Sequence, residues 1–254
     1  TELYTVTKNN GTRRTGILFK QEDSNLAPTI YLEEFYQKYL KGQQVPDLAD
    51  SICSIYQEIR VKKTCDCQNL FDFNHVKEHI VYKLIRRDAN EELLKQIPYE
   101  PFLDLAVVYY IQIDNTRFGS AAIQIRNEHL RYWRVEKEEI RRLAEKNTPR
   151  IYPVQIRQIV RFMYVATNEQ CSLVAAVMRY PDFREKVRGM IRGDFYILPS
   201  SIHEVILVPE SFGLEPERMQ EMVKEINQTG VAPEEVLSDS VYYFDGEEIR
   251  IVAK

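Results

Sequence analysis

The stretch from Leu103 to Ile125 constrains the fold of this chain more than any other part of it. Leu103, Leu105, Val107, Val108, Tyr109, Ile111 and Ile113 form an apolar run dense in β-branched and aromatic residues, which pack well on a pleated surface and lose side-chain freedom in a helix. Asp114 to Gly119 then supply turn residues, and Ala121, Ile123 and Ile125 alternate with their neighbours as a return strand does. The spacing predicts an antiparallel pair between 107–113 and 121–125, followed by a helix at about Lys137–Lys146. A sheet this apolar must be covered, so the remaining chain has to supply helices that lie on it.

Those helices are readable. Leu32, Phe35, Tyr36, Tyr39 and Leu40 recur at helical spacing up to Lys41, where Gly42 supplies the left-handed residue of a helix end. Leu48, Ile52, Ile55, Tyr56 and Ile59 mark a second helix starting after Pro46. A third is expected from Asn74, as N-cap, to about Arg87 on the stripe Val76, Ile80 and Leu84, and a short one over Glu91–Gln96 stops at Pro98. Before them, Asn9-Asn10-Gly11 between two β-prone runs reads as a hairpin turn. Downstream come strands at Phe195–Leu198 and Glu204–Val208, a helix over Pro216–Asn227, and a hairpin of Val241–Phe244 with Ile249–Val252 turned at Asp245-Gly246.

The reading is an α+β protein with mixed or antiparallel sheets covered by helices, divided into 1–97, 98–150 and 151–254. The last two stretches read as an internal duplication of a strand–turn–strand–helix unit. Phe162–Val165 and Ala175–Met178 stand as the strands of the second unit, before a helix near Asp182, and Ala121-Ala122-Ile123-Gln124 matches the latter in the first. Between the units a helical pattern, Val154–Val160, runs into the strand at Phe162 with almost no connection, which suggests a segment missing between Val160 and Met163.

Composition narrows the function classes. A formal charge of -4 supplies no global attraction to nucleic acid or to an anionic membrane. No apolar run is long enough to span a bilayer and the first 20 residues lack signal-peptide order, so a cytoplasmic location is expected. Cys53, Cys65, Cys67 and Cys171 are too few for a disulfide framework. With 9 Gly and no glycine-rich phosphate loop, no nucleotide cofactor is expected, and no other cofactor is implied.

The strings LAPTIYLEEFYQKY, VKEHIVYKLI, FLDLAVVYY, GSAAIQIRNEHL, LPSSIHEVILVPE and MVKEINQTGVAPEEVLSDSVYYFD, spread over about Thr5 to Tyr243, resemble the bacterial domain-of-unknown-function family 5688. The resemblance implies a bacterial cytosolic protein and no particular activity. It also implies that other members have a longer stretch between NTPR and MYV, where the spacing here is short. DLAVVYY and EEIRRLAEKN carry a fainter similarity to domain-of-unknown-function family 1444.

Three constellations could carry chemistry. His75, Glu78 and His79 spell H-x-x-E-H, two zinc-ligand types one helical turn apart with a glutamate that could activate water, although a third ligand is not evident. Ser200, Ser201, His203 and Glu204 lead from a turn into an apolar strand, and Asp239 could orient the imidazole. Residues so close on an extended segment rarely face each other, so Ser200 or Ser201 is expected to bond the turn backbone while His203 and Glu204 point to opposite faces. Arg184, Arg188 and Arg192, at i, i+4 and i+8, form a guanidinium stripe that could hold phosphates or an acidic partner. With no complete catalytic set, the expected function is a non-catalytic binding or interaction module, with a protein partner possible. The alternative is a hydrolase working through His75/Glu78/His79 or Ser200/His203/Asp239.

Overall fold

The computed structural model describes residues 1–20, 28–59, 72–116, 119–169 and 173–254. Strands β1 (Glu2–Thr7) and β2 (Arg13–Leu18) form the expected N-terminal hairpin, with Asn10 and Gly11 in the left-handed region at φ 58° and 67°. Strand β3 (Thr29–Tyr31) pairs with the other edge of β2. Helices α1 (Glu33–Leu40) and α2 (Val45–Ile59) follow as read, and Ile30, Phe35 and Leu48 bury together.

In the second sheet β6 (Leu105–Thr116) is central. One of its edges pairs with β4 (Ile80–Arg86), the other with β5 (Tyr99–Phe102) and β7 (Gly119–Gln124), all antiparallel. The expected pairing of β6 with its return strand is present, with Ile111 opposite Ile123. Leu105, Val107, Tyr109 and Ile111 face the main core, and Ala106 and Val108 face a smaller one with Leu94 of α4 (Glu91–Leu94) and Ile97. Both faces are buried, so the run is apolar throughout instead of alternating.

Strand β4 corrects the helix expected over 74–87. Only α3 (Phe73–Val76) is α-helical, and its N-cap is Asp72, whose carboxylate accepts the Asn74 N–H at 2.9 Å. A 3-10 turn, Lys77–His79, leads directly into β4. Ile80, Tyr82 and Leu84 point into the main core, while Val81 and Ile85, also buried, point the other way. The free edge of β4 is closed by α6 (Lys137–Ile151): Thr148 Oγ1 accepts the Tyr82 N–H at 3.0 Å, and Asn147 donates to the carbonyls of Lys77 and Ile80. Helix α5 (Asn127–Trp133), which was not expected, bridges β7 and α6.

The third sheet comprises β8 (Gln155–Val160), β9 (Met163–Thr167), β10 (Phe195–Leu198), β11 (Val205–Pro209), β12 (Val241–Phe244) and β13 (Ile249–Ala253). Its order is β13-β12-β10-β11-β9-β8, antiparallel throughout. Two expectations are corrected here. Val154–Val160 is not helical; most of it is β8, and the two-residue turn Arg161-Phe162, with Phe162 at φ 71°, closes a hairpin in which Val160 pairs with Met163. A hairpin needs no more chain than that, so the two elements follow each other without a longer connection. The run expected as a second return strand is a buried 3-10 turn, Val174–Arg179, and β9 pairs with β8 and β11 instead. The second strand–turn–strand–helix unit is therefore not what the fold contains.

The main core lies between the inner faces of the second and third sheets, with Val174–Met178 and Phe183 and Val187 of α7 (Phe183–Ile191) packed within it. Helix α8 (Pro216–Thr229) covers the outer face of the third sheet, Met219 and Val223 packing on Leu198, Val208 and Val241. The N-terminal hairpin is latched to the rest. Asn10 donates to the carbonyls of Pro233 and Val236 at 2.9 and 2.7 Å and exchanges amide bonds with Asn90, while Asn9 donates to Glu234 O. Among the described residues no helix is long and apolar enough to cross a membrane.

Candidate functional site

The turn between β5 and β6 consists of Leu103, at φ 57°, and Asp104, and it projects the Asp104 carboxylate toward the start of β12. There it accepts hydrogen bonds from Ser238 Oγ at 2.7 Å, Ser240 Oγ at 2.8 Å and the Tyr242 hydroxyl. Burial, then the negative Asp104 beside it, holds the Tyr242 hydroxyl protonated well above the usual tyrosine range. One carboxylate thus fastens three hydroxyls of the third sheet's approach to the end of the second sheet.

Beside it, β4 ends in Arg86, whose guanidinium bonds Asp88 at 2.9 Å and Asp239 at 2.8 Å. Both bonds raise the Arg86 pKa further. From α8, Asn227 donates to Asp239 Oδ1 at 2.8 Å and to Ser238 O at 2.9 Å. Burial pushes the Asp239 carboxyl upward, but the bonds from Asn227 and Arg86 outweigh it and hold the pKa below the usual carboxylate value.

Of these groups, Arg86, Asp88, Asp104, Asp239 and Ser240 line a cleft of about 210 Å³. Its carboxylates, Asp88, Asp104 and Asp239, are all engaged. Its cations divide differently: Arg86 is bound twice, whereas Arg87, Lys224 and Lys254 also face the cleft and make no ion pair or side-chain hydrogen bond among the described residues. The floor sets three carboxylates against one guanidinium, and the three further cations of the rim leave the lining with a net charge of about one positive. Such a rim favours a carboxylate or a phosphate group.

The structure separates the residues singled out in the sequence. Ser201 is buried in the connection between β10 and β11, and its Oγ accepts the His203 backbone N–H at 3.1 Å, the turn-bonding role expected of it. His203 is half-buried, with Nε2 3.3 Å from Glu235 Oε1 and Nδ1 buried without a partner, while Glu204 is exposed. Ser200 serves through its backbone, its carbonyl accepting the Leu237 N–H. Asp239 is held by Arg86 and Asn227, so it does not orient His203 and no triad assembles.

The arginine stripe lies at the opposite end of β10. Arg184 stacks 5.6 Å from the Phe244 ring and reaches Glu247 O, Arg188 pairs with Asp194 at 3.3 Å, and Arg192 is exposed in the left-handed region at φ 62° as the cap of α7. His75 and His79 stack with ring centroids 6.5 Å apart, the helix between them having given way to a 3-10 turn, and Glu78 lies 3.9 Å from Lys146. Among the described residues no three His, Cys, Asp or Glu side chains could hold a metal ion. Cys65, Cys67 and Cys171 lie outside the described residues.

The residues that do converge, Arg86, Asp104, Lys224 and Asp239, escaped sequence reasoning as a group, since four separate segments supply them. One signal was available: Asp104 is a lone acid at the head of a strand buried on both faces, where an uncompensated charge is costly.

Fold and cleft together define an α+β protein of three antiparallel sheets with a polar cleft where two of them meet. The chain belongs to the family of unknown function DUF5688, whose model matches residues 1–163 and again 158–246. Both stretches include 158–163, the β8–β9 turn, where the resemblance placed a longer segment in other members. No curated protein and no solved structure matches the chain.

Proposed function

We propose that this protein is a non-catalytic binding module, whose polar cleft takes a small ligand through a carboxylate or phosphate group. One observation carries the reading. Arg87, Lys224 and Lys254 face a cleft whose carboxylates are already engaged, so an incoming anion meets available donors without displacing an internal ion pair. Arg86 and Asp104 fix the floor, as preorganised recognition requires. The Ser240 hydroxyl donates to Asp104 at 2.8 Å but is buried in the floor, and the described lining offers no imidazole beside it, which supports binding over hydrolysis. The resemblance to a bacterial family supports a bacterial cytosolic setting.

The test compares thermal unfolding in phosphate, in citrate and in chloride at matched ionic strength. Specific binding raises the midpoint with phosphate or citrate concentration by mass action, and Lys224→Met removes the rise. Equal midpoints in all three salts would count against the reading.

A further inference from the structure

Strand β8 stands last in the order of the third sheet, and among the described residues no other element bonds the backbone of its outer edge. The edge of β4, by contrast, is closed by α6. A row of unpaired N–H and C=O groups is a template for another strand, and native edges discourage such pairing with proline, lysine or a bulge. Gln155–Val160 contains no proline and no lysine. Its one irregularity, between Gln158 and Val160, leaves Gln155–Gln158 in regular register with β9.

The side chains of this edge are open as well. Ile159 and Val160 are 52% and 56% exposed, and Phe162 in the adjoining turn stacks on the exposed Phe212 with ring centroids 5.5 Å apart. Arg157 and Arg161, both exposed, stand on either side of the apolar pair. Arg157 donates to Gln155 Oε1 at 2.5 Å within its own strand, and Arg161 lies 4.9 Å over the Phe162 ring, so that among the described residues neither has a carboxylate partner. Two unpaired guanidinium groups four residues apart, with apolar side chains between them, are complemented by a strand that carries two acids at the same separation around apolar residues. That pattern fits in either direction along β8.

We propose that the outer edge of β8 is a docking site for an extended segment of a partner protein, apolar between two acidic residues, which adds to the third sheet as a further strand with its acids at Arg157 and Arg161. Backbone hydrogen bonds supply the affinity and the two arginines the selectivity, independently of the anion reading of the cleft. The probe is the peptide acetyl-Ser-Glu-Val-Ile-Val-Glu-Ser-amide, titrated at pH 7 and low salt into the full chain by calorimetry. Its controls are the same peptide with Lys for both Glu, and with Pro for the central Ile, which removes a ladder donor. The acidic peptide is expected to bind saturably, at least tenfold more tightly than either control. The double variant Arg157→Glu/Arg161→Glu should reverse the order of the acidic and basic peptides, and Lys224→Met should leave it unchanged. No saturable binding, equal binding of the proline peptide, binding lost in Lys224→Met, or an unreversed order in the folded double variant would each overturn the proposal. So would a dimer in sedimentation that Val160→Lys dissociates, since a second copy then holds the edge. Should the double variant fail to fold, the comparison of the three peptides on the unmodified chain decides.

Discussion

Lys83 is an amine whose charge the fold opposes. Its Nζ lies 4.2 Å over the Tyr110 ring, and burial, reinforced by Lys8, pushes its pKa down to about 8. Between about pH 8 and the ordinary value of 10.5 the unfolded chain binds the extra proton, so this residue's contribution to stability rises with pH across that window and its full cost is felt below it. Lys83→Met should raise stability at pH 7 by about 1–3 kcal/mol, and the gain should shrink as pH rises from 8 to 10. Urea midpoints of variant and unmodified protein, read as a difference, check this, because buried tyrosines such as Tyr82 and Tyr109 oppose folding at the alkaline end in both. Asp104→Ala removes the acceptor of three hydroxyls and should cost about 2–4 kcal/mol in the same assay. His203→Ala, which breaks only a partly exposed contact with Glu235, should cost no more than about 1 kcal/mol.

At the scale of elements, the sequence was legible where turn chemistry or period was unambiguous. Asn10-Gly11 and Asp245-Gly246 announced their hairpins, and the one-sided stripes of α1, α2 and α8 announced helices. It misled where burial is two-sided. Val76, Ile80 and Leu84 are spaced by four, a number that fits one face of a helix and one face of a strand equally, and the apolar Val81 and Ile85 on the opposite face hide the difference. Val174–Met178 is buried on every side and carries no period at all. Val81 distinguishes the two readings of β4: it is 1% exposed in the strand, whereas a helix with the stripe Val76, Ile80 and Leu84 inward turns it away from that face. Val81→Asp should therefore destabilise by about 3 kcal/mol or more, and a near-neutral result by urea unfolding would contradict the strand.

Across the whole molecule, residues 233–240 tie the parts together. Their backbone and side chains receive Asn9, Asn10 and Arg14 from the N-terminal hairpin, hold His203 through Glu235, bond Asp104 through Ser238, and deliver Asp239 and Ser240 to the cleft. Sequence reading could not assemble this, because Arg86, Asp104, Lys224 and Asp239 meet only through the packing of two sheets and α8, and only Asp104, at the head of a buried strand, stands out from an ordinary surface charge by its neighbours. Asn10→Ala should loosen the latch, seen as faster hydrogen exchange in β1 and β2 with little change in β6. On the proposed function, Arg87, Lys224 and Lys254 form an anion-binding rim over a fixed floor. This reading is tested most directly by calorimetric titration of inorganic phosphate into the unmodified protein and into the double variant Lys224→Met/Lys254→Met. Saturable binding is expected that weakens as salt rises and is lost in a double variant of unchanged fold. Equal binding by the folded double variant, or no saturable binding to the unmodified protein at low salt, would contradict it.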